Sequence, residues 1–183
     1  IIAFEMALVV GFIYAAPYLF FPGALGDAYR GIPMIQTANE ESYLALIQEI
    51  VDGHPMMGSP FVFEYKDQPP LAPPTGELFY ALPSILLRIP LLYVLAASRF
   101  ILPAILFLLI YFLILQLTDG ATRLSSALNA VAGALLVTLG YDLVDYRNLW
   151  GFLSGEHALA GDFLLWARPV NPILGAIFLF SFL

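Results

Sequence analysis

Cysteine is absent from this 183-residue chain, which removes disulfide frameworks and thiolate metal sites at one stroke. Charge is almost as scarce: 11% of residues are Asp, Glu, Lys or Arg, where a soluble domain carries roughly 25%. Only two histidines occur, His54 and His157, far apart and each in a polar segment, too thin a set for a metal site. Seven basic residues stand against fourteen acidic ones, and a net charge of −7 disfavours a phosphate backbone as partner, so nucleic acid is excluded as a target. A Walker loop, a G-x-G-x-x-G after a strand, H-E-x-x-H and G-x-S-x-G are all missing. Internal repeats and low-complexity tracts are missing as well.

What is there is apolar. Hydrophobic residues make up 61% of the chain, and the mean hydropathy is +0.86. Too little polar surface exists to coat a globule of this size, so lipid is expected to act as solvent for much of it. The expected fold class is all-α, a polytopic transmembrane helical protein with a surface-lying helix in its first polar loop. The length suits about four or five crossings with their connections. The chain starts at Ile1 and stops at Leu183 inside an apolar run, which reads as a piece of a longer protein.

Spans are expected over residues 1–22, 99–118, 124–141 and 172–183, with polar loops over 23–76 and 142–171. The first span ends at Pro22, and Glu5 lies at its other end, at headgroup level. Residues 23–76 hold seven acidic side chains, with Glu77 at the border, against Arg30 and Lys66. Within them Glu40–Val51 has the pattern of an amphipathic helix: Tyr43, Leu44, Ile47, Ile50 and Val51 share one face, and Glu41, Glu49 and Asp52 lie elsewhere. Asp52-Gly53 ends it, glycine being usual just past a helix C-terminus. Such a helix lies along a membrane surface rather than crossing it.

Six prolines between His54 and Gly76 make an irregular connector. Residues 77–93 are apolar but broken by Pro83, Arg88 and Pro90, which predicts a half-buried helix. The turn Asp119–Arg123 is short enough only for a helical hairpin. Leu124–Tyr141 is rich in Ala, Gly and Ser, which lets helices approach closely. In the second loop a short segment, Ala158–Trp166, precedes Arg168-Pro169-Val170-Asn171-Pro172. Counting crossings puts both polar loops on one side. Most of the chain's basic residues lie there, which taken alone would make that side cytoplasmic.

The residues able to carry chemistry gather in those loops. Asn39, Glu40 and Glu41 head the surface helix, where unpaired backbone N–H groups stabilise carboxylates. The plain role there is capping; the chemical one is a base acting on a hydroxyl presented at the interface. Lys66 and Arg168 are the cations best placed to hold a phosphate, and the plain alternative for each is an interfacial cation that snorkels.

The order of these features resembles the GT-C superfamily of polytopic glycosyltransferases, which includes the protein O-mannosyltransferases and the lipid A aminoarabinose transferases. A first span is followed by an acidic pair heading a surface helix (NEESYLALIQEIVDG), a charged Pro-Pro segment (EYKDQPPLAPP) and an Arg-led second span. The resemblance covers nearly the whole chain, as the N-terminal part of such an enzyme. It implies a polyprenyl-phosphate-linked sugar as donor and a protein, glycan or lipid acceptor. It also implies a cell-membrane location with the polar loops extracytoplasmic, against the charge count. No cofactor is fixed by it, and a divalent metal is compatible with it.

In that family an Asp-Glu pair stands in the first loop, with a Tyr four residues after the Asp. Counting back from Tyr43 places the Glu at Glu40 and puts Asn39 where the Asp, the usual base, would be. Glu40 or Glu41 would then substitute as base, or the activity is altered. The lysine before Pro-Pro corresponds to Lys66, with Asp67 and Gln68 intervening. Two other classes stay open: a transporter or flippase-like protein for a lipid-linked substrate, and a non-catalytic relative.

Overall fold

The computed structural model describes residues 1–32, 34–35, 40–56, 58–59, 62–70, 73–118, 123–144 and 164–183. Among them every regular element is helical. The six α-helices are α1 (Ile2–Leu25), α2 (Glu40–Val51), α3 (Thr75–Leu87), α4 (Leu91–Leu117), α5 (Arg123–Val144) and α6 (Ile173–Phe182). Single 3-10 turns stand at Gly26–Ala28, Phe63–Tyr65 and Leu165–Ala167. The all-α class is therefore observed. Residues 119–122 of the expected hairpin turn and residues 145–163 of the expected 142–171 loop lie outside the described residues.

Helix α2 has the bounds its periodicity demands, and Gly53, at φ 97°, follows it in the left-handed region that glycine enters without steric cost. The other boundaries move. Helix α1 does not end at Pro22 but carries Pro17 and Pro22 inside it and runs to Leu25. Each proline removes one N–H from the helical ladder without ending the helix. The stop comes instead at Gly26, φ 49°, whose N–H returns to the Pro22 carbonyl.

The larger correction is at α4, which begins at Leu91, not at Arg99. Helix α3 ends where Arg88 turns left-handed at φ 55°. Ile89 is then kept from helical geometry by the proline that follows, and the Ser84 hydroxyl donates to the Ile89 carbonyl at 2.7 Å. Pro90 caps the next helix, where its missing N–H costs nothing. Arg99 consequently sits in the third turn of a 27-residue helix that is otherwise free of charge.

Helix α4 is the hub. Helix α1 packs along it most extensively and α5 next, while α6 and α3 also lean on it and α2 packs mainly on α3. Phe107, Leu106 and Ile110 of α4 are wholly buried, with Tyr14 of α1 and Tyr80 of α3. Close approach is bought with small residues: a Cβ at Gly11 would stand 2.6 Å from the Phe100 carbonyl oxygen and 3.3 Å from the Ala104 Cβ. Tyr14 donates across to the Thr138 carbonyl of α5 at 2.5 Å, and the Thr138 hydroxyl donates back to Ala134 at 2.7 Å.

Among the described residues two helices are long and apolar enough to cross a membrane: α1 with the turn after it (Ile2–Ala28), and α4. At 1.5 Å per residue α4 is about 40 Å long, against a hydrocarbon core of about 30 Å. Helices α3 and α6 and the apolar part of α5 (Leu124–Gly140) are shorter.

The α1–α4 contact makes a direct prediction. In Gly11→Ala the added methyl meets backbone that cannot rotate away, so the helices must separate. Thermal unfolding in detergent should register a loss of ~1–3 kcal/mol.

Candidate functional site

Glu40 opens α2, and its carboxylate is fully buried. Its partner is Arg99 of α4, with which it forms an ion pair. Arg99 is itself only 8% exposed, and its guanidinium carbon lies 3.4 Å from the centroid of the Tyr18 ring of α1. One carboxylate, one guanidinium and one aromatic face thus join three helices. A charge this deep is tolerated only when paired, since desolvation costs several kcal/mol per ion. The ring adds attraction to the cation, worth more where water is excluded. The amphipathic face of α2 brings Glu40 there: Ile47 and Ile50 are buried below it and fix the helix's rotation.

Both members of the pair line a cavity of about 100 Å³. Tyr18, Phe21 and Tyr29 line it from the α1 side, and Leu92 and Leu95 from α4. At liquid density that is room for about three waters. The Tyr18 hydroxyl is buried and has no hydrogen-bond partner among the described residues. The cavity therefore combines an apolar wall with a carboxylate–guanidinium pair and a phenol. This combination suits a small polar group entering from an apolar surrounding.

The remaining sequence-derived candidates divide. Glu41 is exposed beside the buried Glu40. Lys66 is exposed in the turn after Phe63–Tyr65, where its carbonyl accepts from the Gly58 N–H at 3.0 Å. Arg168 is half-buried after the Leu165–Ala167 turn, and its Nε is buried without a hydrogen bond among the described residues. That segment is anchored to α3 by the Val170 N–H donating to the Tyr80 hydroxyl at 3.2 Å. Burial pushes the Tyr80 phenol up to about 12, so it remains a neutral hydroxyl. Lys66 and Arg168 are not among the described residues that line the cavity. Asn39 and His157 lie outside the described residues.

Arg99 and Tyr18 were not singled out by sequence. A signal for Arg99 did exist. It is flanked by LLYVLAAS on one side and FILPAILF on the other, and a lone charge in an apolar run marks a functional position by default. Placing the span boundary at Arg99 itself hid it as an interfacial residue.

Among the described residues no group of three or more His, Asp or Glu side chains gathers to hold a metal. His54 pairs with Glu49 at 3.0 Å on an exposed part of the surface. No family model matches the chain, and neither a curated protein nor a solved structure resembles it significantly.

The buried pair predicts an asymmetric response to mutation. Arg99→Leu strands the Glu40 carboxylate and should cost ~3–5 kcal/mol, whereas Glu40→Leu with Arg99→Leu should recover most of that loss. Unfolding temperatures of the two variants in the same detergent measure the difference.

Proposed function

We propose that the chain is part of a multi-pass membrane glycosyltransferase. It would move a sugar from a polyprenyl-phosphate donor to an acceptor hydroxyl at the extracytoplasmic face of the cell membrane. Support for membrane residence comes from α1 and α4, whose apolar stretches are only 33% buried. A core helix of a soluble protein would be covered by its neighbours. Here Phe4, Phe12, Phe20, Ile101 and Phe112 remain exposed, as lipid contact requires.

The observation that carries the enzymatic reading is the Glu40–Arg99 pair walling a cavity beside α4, with a second carboxylate next in sequence. Glu40, held against a guanidinium, is suited to orienting a group rather than exchanging a proton. Glu41, exposed, is the carboxylate free to take one. In the reaction the acceptor oxygen bonds to the anomeric carbon as that carbon's bond to the phosphate oxygen breaks. The acceptor proton passes to Glu41 and polyprenyl phosphate departs. Lys66 and Arg168 would meet the charge on the leaving phosphate, a task favoured where water is scarce.

One observation favours a second class. Arg99 within α4 is an ionisable residue inside a membrane-length helix, the mark of a transport pathway. A transporter for the same lipid-linked substrate would move it intact.

Incubation of the purified protein with radiolabelled polyprenyl-phosphate sugar separates the two, since only transfer releases free polyprenyl phosphate. Glu41→Gln, at an exposed position, should leave the fold intact and lower transfer about 100-fold, within the range of general-base contributions. If Glu41→Gln keeps full activity, the base assignment is wrong.

A further inference from the structure

A second, larger concavity shares Leu44 and Leu92 with the first. Its volume is about 800 Å³, in the range of sites for small organic ligands. One wall is α2, through Leu44, Ala45, Gln48 and Val51; the other is the corner where α3 gives way to α4, from Ser84 to Leu92. Among the described lining residues the single charge is Arg88. Arg88 is exposed and makes no ion pair with any described residue. The carboxylates at that end of α2 are engaged elsewhere: Glu49 by His54 at 3.0 Å and Asp52 by the Gln48 amide at 2.9 Å.

Arg88 also occupies a backbone position that suits another residue. It caps α3 with φ 55° and ψ 36°, the left-handed conformation that glycine fills at helix ends without penalty. An arginine there is held at a conformational cost, and no hydrogen bond among the described residues uses its side chain.

We propose that this groove holds one anionic glycerophospholipid of the bilayer, its phosphate on the Arg88 guanidinium and an acyl chain against Leu44, Ala45 and Val51. The chemistry is complementary: an apolar trough open to one side, ended by a lone cation that can fork to two phosphate oxygens. The corner between α3 and α4 precedes the first turn of a membrane-length helix, so Arg88 stands at headgroup depth. The occupant is distinct from the donor lipid. Arg99 lies eight residues into α4 from Leu91, about 12 Å along its axis, so the guanidinium offered to this phosphate is a different one from that paired with Glu40. The proposal rests on membrane insertion of the chain and not on sugar transfer.

The test uses the whole chain in phosphatidylcholine nanodiscs doped with phosphatidylglycerol, with retained lipid counted by native mass spectrometry after delipidation. One phosphatidylglycerol should be retained per chain with at least a tenfold preference over phosphatidylcholine. Arg88→Gly should abolish that preference while leaving the melting temperature unchanged or higher. Ala45→Trp, filling the trough with Arg88 intact, should lower retention of both lipids. The proposal is overturned if the unmodified chain retains no lipid, as when its own residues fill the groove, or if Arg88→Gly keeps the preference. Displacement of phosphatidylglycerol by equimolar polyprenyl phosphate would overturn it too, because the groove would then be the donor's. Failure of the chain to co-elute with the nanodiscs would sink the membrane reading itself, a result visible before any lipid is counted.

Discussion

A guanidinium buried in an otherwise uncharged helix has to be answered. Arg99 is the only charge in α4, and the way it is answered organises the surrounding structure. Glu40 provides the opposite charge and Tyr18 the aromatic face, so that α2, which lacks the length to cross a membrane, is pinned against two helices that have it. The cavity follows from this arrangement. With α2 held at its first residue and rotated by Ile47 and Ile50, a gap is left between Tyr18, Leu92 and the start of the helix.

The hub helix meets its neighbours by different means on its different sides. Toward α1 the backbone of Gly11 lies against the Phe100 carbonyl, and toward α5 the backbone of Gly133 receives the Ile114 side chain. Small residues let helices close in where lipid supplies no hydrophobic drive between them. The hydroxyl of Tyr14 adds directionality, since its donation to the Thr138 carbonyl fixes α1 and α5 in one register. Large aromatic and aliphatic side chains fill what remains, with Phe107 and Tyr80 wholly enclosed.

Legibility from sequence tracked periodicity. The 3.6-residue pattern of Glu40–Val51 gave both ends of α2, because a polar–apolar alternation and a terminal Asp-Gly leave few choices. The apolar helices offered no such pattern, and their ends had to be read from punctuation. That misled at Pro22, which the helix passes, and at Arg99, which charge made look like a border. The true border was written in Arg88-Ile89-Pro90, where a residue before proline leaves the helical region. The site was partly legible. Glu40 and Glu41 were identified as neighbours with one role, yet burial separates them into an ion-paired and an exposed carboxylate. The Glu40–Arg99 contact spans 59 positions of sequence, and no local rule couples residues so far apart. Lys66 and Arg168 were read from their charge and loop position, with the family resemblance adding only to Lys66, and neither is among the described residues that line the cavity.

The order of the two charges along the chain bears on how the protein is made. Glu40 emerges from the ribosome before Arg99 does, and so does Tyr18. For a helix entering a bilayer, an unpaired arginine adds about 2.5–3.5 kcal/mol to the cost of insertion at mid-depth. In this chain the counter-ion is already synthesised when the cation arrives, since Glu40 follows α1, which ends at Leu25, and precedes α4. Neutralisation can therefore accompany the entry of α4 rather than follow it. Reversing the two charges would keep the pair and lose that precedence.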